Sequence, residues 1–185
     1  MLRLMTSVLC VLVVWTGTGN ATEKNAPYLL NPGDLVSISV WGDEKLQGEV
    51  SVLPDGSITF PLAGRIDVAG LDASAVEQKV AARLEKFISD PTVSVVVKNA
   101  AGNLLYVQGK VAKPGPVQMA GPTAVLQALS MSGGLDKFAD VSEIKVVRGT
   151  GDTQKIMPVH YKDLISGRDM STNIQLQAGD TLVVP

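Results

Sequence analysis

Apolar and polar side chains alternate along residues 35–40. Val36, Ile38 and Val40 set against Ser37 and Ser39 make the pattern of a half-buried strand. The preceding Asn31-Pro32-Gly33-Asp34 is a turn, since Pro fixes φ and Gly supplies a reversal. Residues 50–53 and 57–60 are β-prone and flank Pro54-Asp55-Gly56, and Asp-Gly between two such runs predicts a hairpin. The period then changes. Val76, Val80, Leu84 and Phe87, with Ala81 and Ile88, fall on one helical stripe, and Glu77, Lys79, Arg83, Glu85 and Lys86 take the outer face. Asp72 or Ser74 can cap this helix, and Asp90-Pro91 ends it, because the residue before proline disfavours helix. Residues 92–98 predict a strand, and the near-continuous Val93, Val95, Val96 and Val97 predict substantial burial for it.

The polar stretch Asn99-Ala100-Ala101-Gly102-Asn103 reads as a linker, and a second unit begins at Leu104. Residues 106–111 predict a strand, Lys113-Pro114-Gly115-Pro116 a turn, and Val117-Gln118-Met119 a return strand. Pro122 and Thr123 open a helix with Val125, Leu126 and Leu129 at helical spacing, and Gly133-Gly134 ends it. Residues 144–148 and 156–159 predict two more strands around a turn at 149–152, and residues 161–165 a helical turn that ends near Gly167. The chain contains one echo. Leu30-Asn31-Pro32-Gly33-Asp34 and Leu176-Gln177-Ala178-Gly179-Asp180 both read L-x-x-G-D ahead of an apolar run, which casts Asp34 and Asp180 as turn-capping, structural carboxylates. The expected fold class is α+β, in two small units.

Composition changes the picture at the N-terminus. Arg3, a mostly apolar run over residues 4–15 and a small, polar stretch to Ala21 make a secretory leader of residues 1–21, with cleavage after Ala21. The apolar run is shorter than the roughly 20 residues that span a bilayer. Cys10 lies inside that run rather than at its end, and so reads as an apolar residue of the leader rather than an acylated lipoprotein cysteine. Residues 22–27 form a polar, flexible N-terminus. The formal net charge of −2 becomes −3 once Arg3 leaves with the leader. With no basic stripe and 4% aromatic residues, nucleic acid is not an expected partner.

Little in the chain suggests catalysis. His160 is the single histidine, so neither a metal site nor cofactor chemistry is expected; no G-x-S-x-G or phosphate-cradling loop is present. Asp43 and Glu44 are paired carboxylates, but after Trp41-Gly42 they read as an exposed loop without an opposing acid. Trp41 reads first as an apolar plug at a strand end and second as a sugar-stacking platform, which makes it the candidate glycan contact. The compact ββα unit over residues 106–135 holds no catalytic residue and points to binding or assembly.

The segments VQGKVAKPGPVQM and TAVLQALSMSGGL resemble the soluble-ligand-binding β-grasp (SLBB) repeat of bacterial outer-membrane polysaccharide export proteins. Residues 28–97 resemble the polysaccharide export domain of the same family, through Pro32-Gly33-Asp34, Val40-Trp41, residues 52–56, Phe60-Pro61, Gly64, Gly70-Leu71 and Asp90-Pro91 in order. The resemblance implies an export domain over residues 28–98, a linker over 99–103 and a β-grasp-like domain over 104–185, where a Gly-Asp turn and a closing strand commonly end the unit. It further implies a non-enzymatic periplasmic protein, associated with the outer membrane through partners, that as a homo-oligomer forms or docks to a ring-shaped polysaccharide conduit above an inner-membrane polysaccharide copolymerase. Large members end in an amphipathic pore helix, whereas this sequence ends Leu182-Val183-Val184-Pro185, so a separate outer-membrane channel is expected. The rival readings are a monomeric periplasmic module that binds a soluble ligand or glycan, and an enzyme that trims polysaccharide, which the absent acid pair opposes.

Overall fold

The structure, a computed structural model, describes residues 27–185. The expected leader, its cleavage after Ala21, Cys10 and residues 22–26 lie outside the described residues.

The first unit runs β1 (Leu35–Val40), β2 (Asp43–Ser51), β3 (Ser57–Phe60), β4 (Gly64–Asp67), α1 (Ala73–Leu84) and β5 (Val93–Asn99). The antiparallel order β2-β1-β5 puts β1 at the centre, and β3-β4 form a separate ladder. Val36, Ile38 and Val40 point inward from β1, as alternation predicts, onto Val76, Val80 and Leu84 of α1 and onto Ile58, Phe60 and Ile66 of the small ladder. Burying each such side chain contributes on the order of 1.5–3 kcal/mol. Asp72 is the cap of α1, its carboxylate accepting the Ala75 N–H at 2.8 Å.

Several expectations fail here for identifiable reasons. Pro54-Asp55-Gly56 does turn the chain, but it passes from β2 in one sheet to β3 in another instead of closing a two-strand hairpin. Helix α1 stops at Leu84, a turn before Phe87, which is therefore 60% exposed. Glu77 is not on an outer face; it accepts the Val95 N–H at 2.9 Å and covers part of the free edge of β5. Only one face of this sheet is covered, so Val95 on that face is buried while Val96, on the outer face, is 53% exposed, against the burial expected for the whole valine run. Asp43 and Glu44 open β2 rather than lying in a loop.

The second unit runs β6 (Leu104–Gly109), β7 (Gly115–Gln118), α2 (Val125–Met131), β8 (Lys145–Arg148), β9 (Lys155–Pro158), α3 (Tyr161–Ser166) and β10 (Thr181–Val184). Its sheet has the order β7-β6-β10-β8-β9, with β6 and β10 parallel and the other pairs antiparallel. Val125, Ala128 and Leu129 of α2 pack on Leu105, Val107, Val146 and Leu182 of the sheet. Both units mix helix and sheet, so the fold is α+β. The predicted turn is shorter than expected, because Gly115 and Pro116 already pair in β7 with Val107 and Tyr106. Nor do Pro122 and Thr123 belong to α2; its first amides are satisfied by Gln127, which accepts the Ala124 N–H, and by the distant Asn173, which accepts that of Leu126.

The L-x-x-G-D echo is one turn built twice. In each copy the Asp N–H donates to the carbonyl three residues back, and its Oδ2 accepts that residue's N–H at 2.8 Å. Gly33 and Gly179 sit at φ +97° and +87°, where a side chain is strained. Each turn feeds a central strand, β1 or β10. The copies differ in what else the buried carboxylate meets. Asp180 takes both Nε and Nη2 of Arg148, at 2.8 and 2.7 Å. Asp34 takes the Tyr28 hydroxyl at 2.6 Å and, on Oδ1, the Gly102 N–H at 2.8 Å. Residues 99–103 are thereby fastened to the first unit. Asn103 ties them to the second, through its own carbonyl to the Met119 N–H and its Nδ2 to the Met119 carbonyl. A Cβ at Gly102 would lie 2.3 Å from the Pro32 carbonyl oxygen, so only glycine fits this closely packed joint.

Asp34→Ala leaves buried donors unpaired and should lower stability by about 2–4 kcal/mol in urea denaturation. Gly102→Ala strains the same joint, so the double variant should cost clearly less than the two single costs combined. Burial, and then donation to Asp34, raise the Tyr28 hydroxyl above its ordinary range. The unfolded chain releases this proton near pH ~10 while the fold keeps it. Its contribution is therefore complete below pH ~10 and lost above it, and the stability gap between the wild type and Tyr28→Phe should narrow as pH rises from about 9 to about 11.

Candidate functional site

Trp41 follows the last residue of β1, and its N–H donates to the Thr92 carbonyl at 2.9 Å, which fixes the backbone beside β5. Gly42, at φ +82°, completes the reversal into β2. The side chain emerges from this tight turn rather than entering the core and is 87% exposed. The plug expected from an apolar residue at a strand end is thus incorrect. Leu46 fills the adjoining core instead, buried where the β1–β2 register jumps from Ser39↔Gln47 to Val40↔Asp43.

Trp41 stands beside an open depression of about 530 Å³ that Asp43, Glu44, Gln47, Ser39, Thr92 and Ser94 also line. Strand register explains the lining. Ser39 on the central strand is the partner of Gln47 on one side and of Ser94 on the other, so an amide and two hydroxyls form a row across the outer face of the sheet. Adjacent strands lie about 4.8 Å apart, so the three polar groups extend over roughly 10 Å of the sheet face. Asp43 adds a carboxylate whose Oδ1 accepts the Lys45 N–H at 2.9 Å. The arrangement offers one aromatic face and several donors and acceptors, open to solvent, which suits the apolar face and hydroxyl edge of a saccharide.

The structure brings Trp41, Asp43 and Glu44 together and leaves the other candidates apart from them. His160 lies in the second unit, in a shallow depression with Val141, Ser142, Tyr161, Lys162 and Asp163. Asp34 and Asp180 are fully engaged in turns. Among the described residues no group of three or more His, Cys, Asp or Glu is placed to hold a metal, and no helix is long and apolar enough to cross a membrane. Ser39, Gln47, Thr92 and Ser94 escaped the sequence reading. For Ser39 and Ser94 the signal was the polar half of the alternation in β1 and β5, which marks a solvent face but not the row that register builds on it.

Residues 22–98 match the family described as polysaccharide biosynthesis/export protein, and residues 103–184 match the SLBB domain. The chain is 29% identical to the EPS I polysaccharide export outer membrane protein EpsA of Ralstonia nicotianae, over 90% of this chain and 49% of that protein. It is 29% identical to the polysialic acid transport protein KpsD of Escherichia coli, over 90% of this chain and 30% of that one. Identity is 26% to the capsule polysaccharide export outer membrane protein CtrA of Neisseria meningitidis, over 84% and 43%. The chain thus spans half or less of the length of these relatives, which are export and transport proteins rather than enzymes by name. With an export domain and an SLBB domain in that order, the chain belongs to the polysaccharide export protein family.

Proposed function

We propose that this chain is a periplasmic component of a capsular or exopolysaccharide export system, with residues 28–98 and 104–185 as its two domains and 99–103 as the joint between them. The observation that carries the reading is the tandem of the two matched domains, which together take up nearly all of the described residues. Copies of the chain meet by heterologous, head-to-tail contacts that close by rotation into a ring. The ring is a passive conduit. It receives polymer above an inner-membrane polysaccharide copolymerase and delivers it to a separate outer-membrane channel. The secretory leader is removed on the way to the periplasm.

Trp41 is the glycan contact of this reading, stacking on a sugar face while Ser39, Gln47 and Ser94 exchange hydrogen bonds with its hydroxyls. Each contact is open to water and therefore weak, as transit of a long polymer requires. One observation favours a second reading, a monomeric glycan-binding module: the depression is complete within one chain.

Light scattering on the purified chain separates the two. A closed oligomer of defined mass supports the conduit, and a monomer that persists at high concentration contradicts it. Trp41→Ala should leave stability within about 0.5 kcal/mol, since the side chain is exposed, whereas removing a core plug would cost about 3–5 kcal/mol. The same variant should bind neutral oligosaccharide roughly tenfold more weakly, a change of about 1.4 kcal/mol.

A further inference from the structure

A second exposed aromatic lies in the SLBB unit. Phe138 is 69% exposed, and two ammonium groups lie near its ring, that of Lys137 at 4.7 Å and that of Lys110 at 5.9 Å from the ring centre. The backbone that presents them is fixed. Asp136 donates its N–H to the Lys110 carbonyl, accepts the Phe138 N–H on Oδ1 at 2.9 Å and accepts the Ala139 N–H on its carbonyl. The Asp140 N–H is also bonded, to the Pro185 carbonyl.

The nearby carboxylates form no ion pair with the two cations. Asp136 is turned to its own loop, and Asp140 accepts the N–H and hydroxyl of Ser142. Among the described residues neither Lys110 nor Lys137 has a carboxylate oxygen within 4.0 Å. Two like charges are thus gathered around one ring, held by cation–π attraction worth about 0.5–1 kcal/mol each at an exposed site. An anion placed between them relieves their repulsion and gains charge-assisted hydrogen bonds.

We propose that Phe138, Lys110 and Lys137 form a contact for a carboxylate-bearing sugar unit. This rests on the export reading and adds a ligand chemistry to it. One ring and two cations match the footprint of one or two sugar residues, whereas a specific protein interface needs about 800 Å² on each side. The Trp41 depression has the opposite character, because Asp43 and Glu44 in its lining disfavour an acidic unit. The chain therefore carries two saccharide contacts with different charge preference, one in each unit.

The test is a heteronuclear NMR titration of the purified full chain with trigalacturonate and, separately, with its methyl ester, which has the same sugar skeleton without the charges. The acid should shift the amide signals of Lys110, Lys137 and Phe138, bind at least tenfold more tightly than the ester, and weaken as salt is raised. Lys110→Ala with Lys137→Ala should abolish that preference, and Phe138→Ala should weaken the acid while leaving the fold's spectrum intact. Equal affinity for acid and ester, no response at these amides, or an unchanged preference in the double lysine variant would overturn the proposal. Failure here is distinct from failure of the export reading, because assembly size and the Trp41 response to neutral oligosaccharide do not depend on these side chains.

Discussion

The buried Asp34 carboxylate is the constraint on which the arrangement of this chain depends. It accepts the Tyr28 hydroxyl, the Asn31 N–H and the Gly102 N–H. Burying a carboxylate is unfavourable unless donors replace its water, and these three do so. The bonds to Asn31 and Tyr28 shape the turn that launches β1, the central strand of the first sheet. The bond to Gly102 fastens the chain where it leaves that sheet for β6. One side chain thus sets both the entry to the first core and the exit toward the second. Asp180 repeats the turn before β10 but uses Arg148 as its outer partner, so this copy stabilises a sheet rather than a joint.

The proposed function rests on surfaces rather than on a reactive centre. Because Val36, Ile38 and Val40 fill the core, Ser39 must face outward, and pairing with Gln47 and Ser94 extends it into a polar row. The glycine turn at the end of β1 then places an indole beside that row. Each element is inexpensive in stability terms, since it occupies a face the fold leaves open. The proposed conduit would need such contacts, specific enough to favour sugar over bulk solutes and weak enough to release each unit as the polymer advances.

Much of this was legible in the sequence. Strict alternation marked β1, Asp72 marked the start of α1, Gly133-Gly134 marked the end of α2, and the L-x-x-G-D echo marked two identical turns. These signals are local, each set by a residue's own backbone preference or by its period. What was not legible depends on where an element sits. Four valines in β5 look buried until the sheet proves to have one face open to water. The highly charged β2 hides a strand whose register jump buries Leu46 alone among its side chains. Trp41 has the chemistry of a core residue, and only the direction of its turn exposes it. The pairing of Phe138 with Lys110 needs the bridge that brings Val111 against Leu135, a contact no window along the chain contains.

The central claim, that this chain carries polysaccharide out of the cell, is tested most directly by removing it from its own bacterium and quantifying the polymer inside and at the surface. The account predicts that surface polymer falls sharply while polymer accumulates within the cell envelope, and that the wild-type chain restores both. Unchanged surface polymer in the absence of the chain would contradict it.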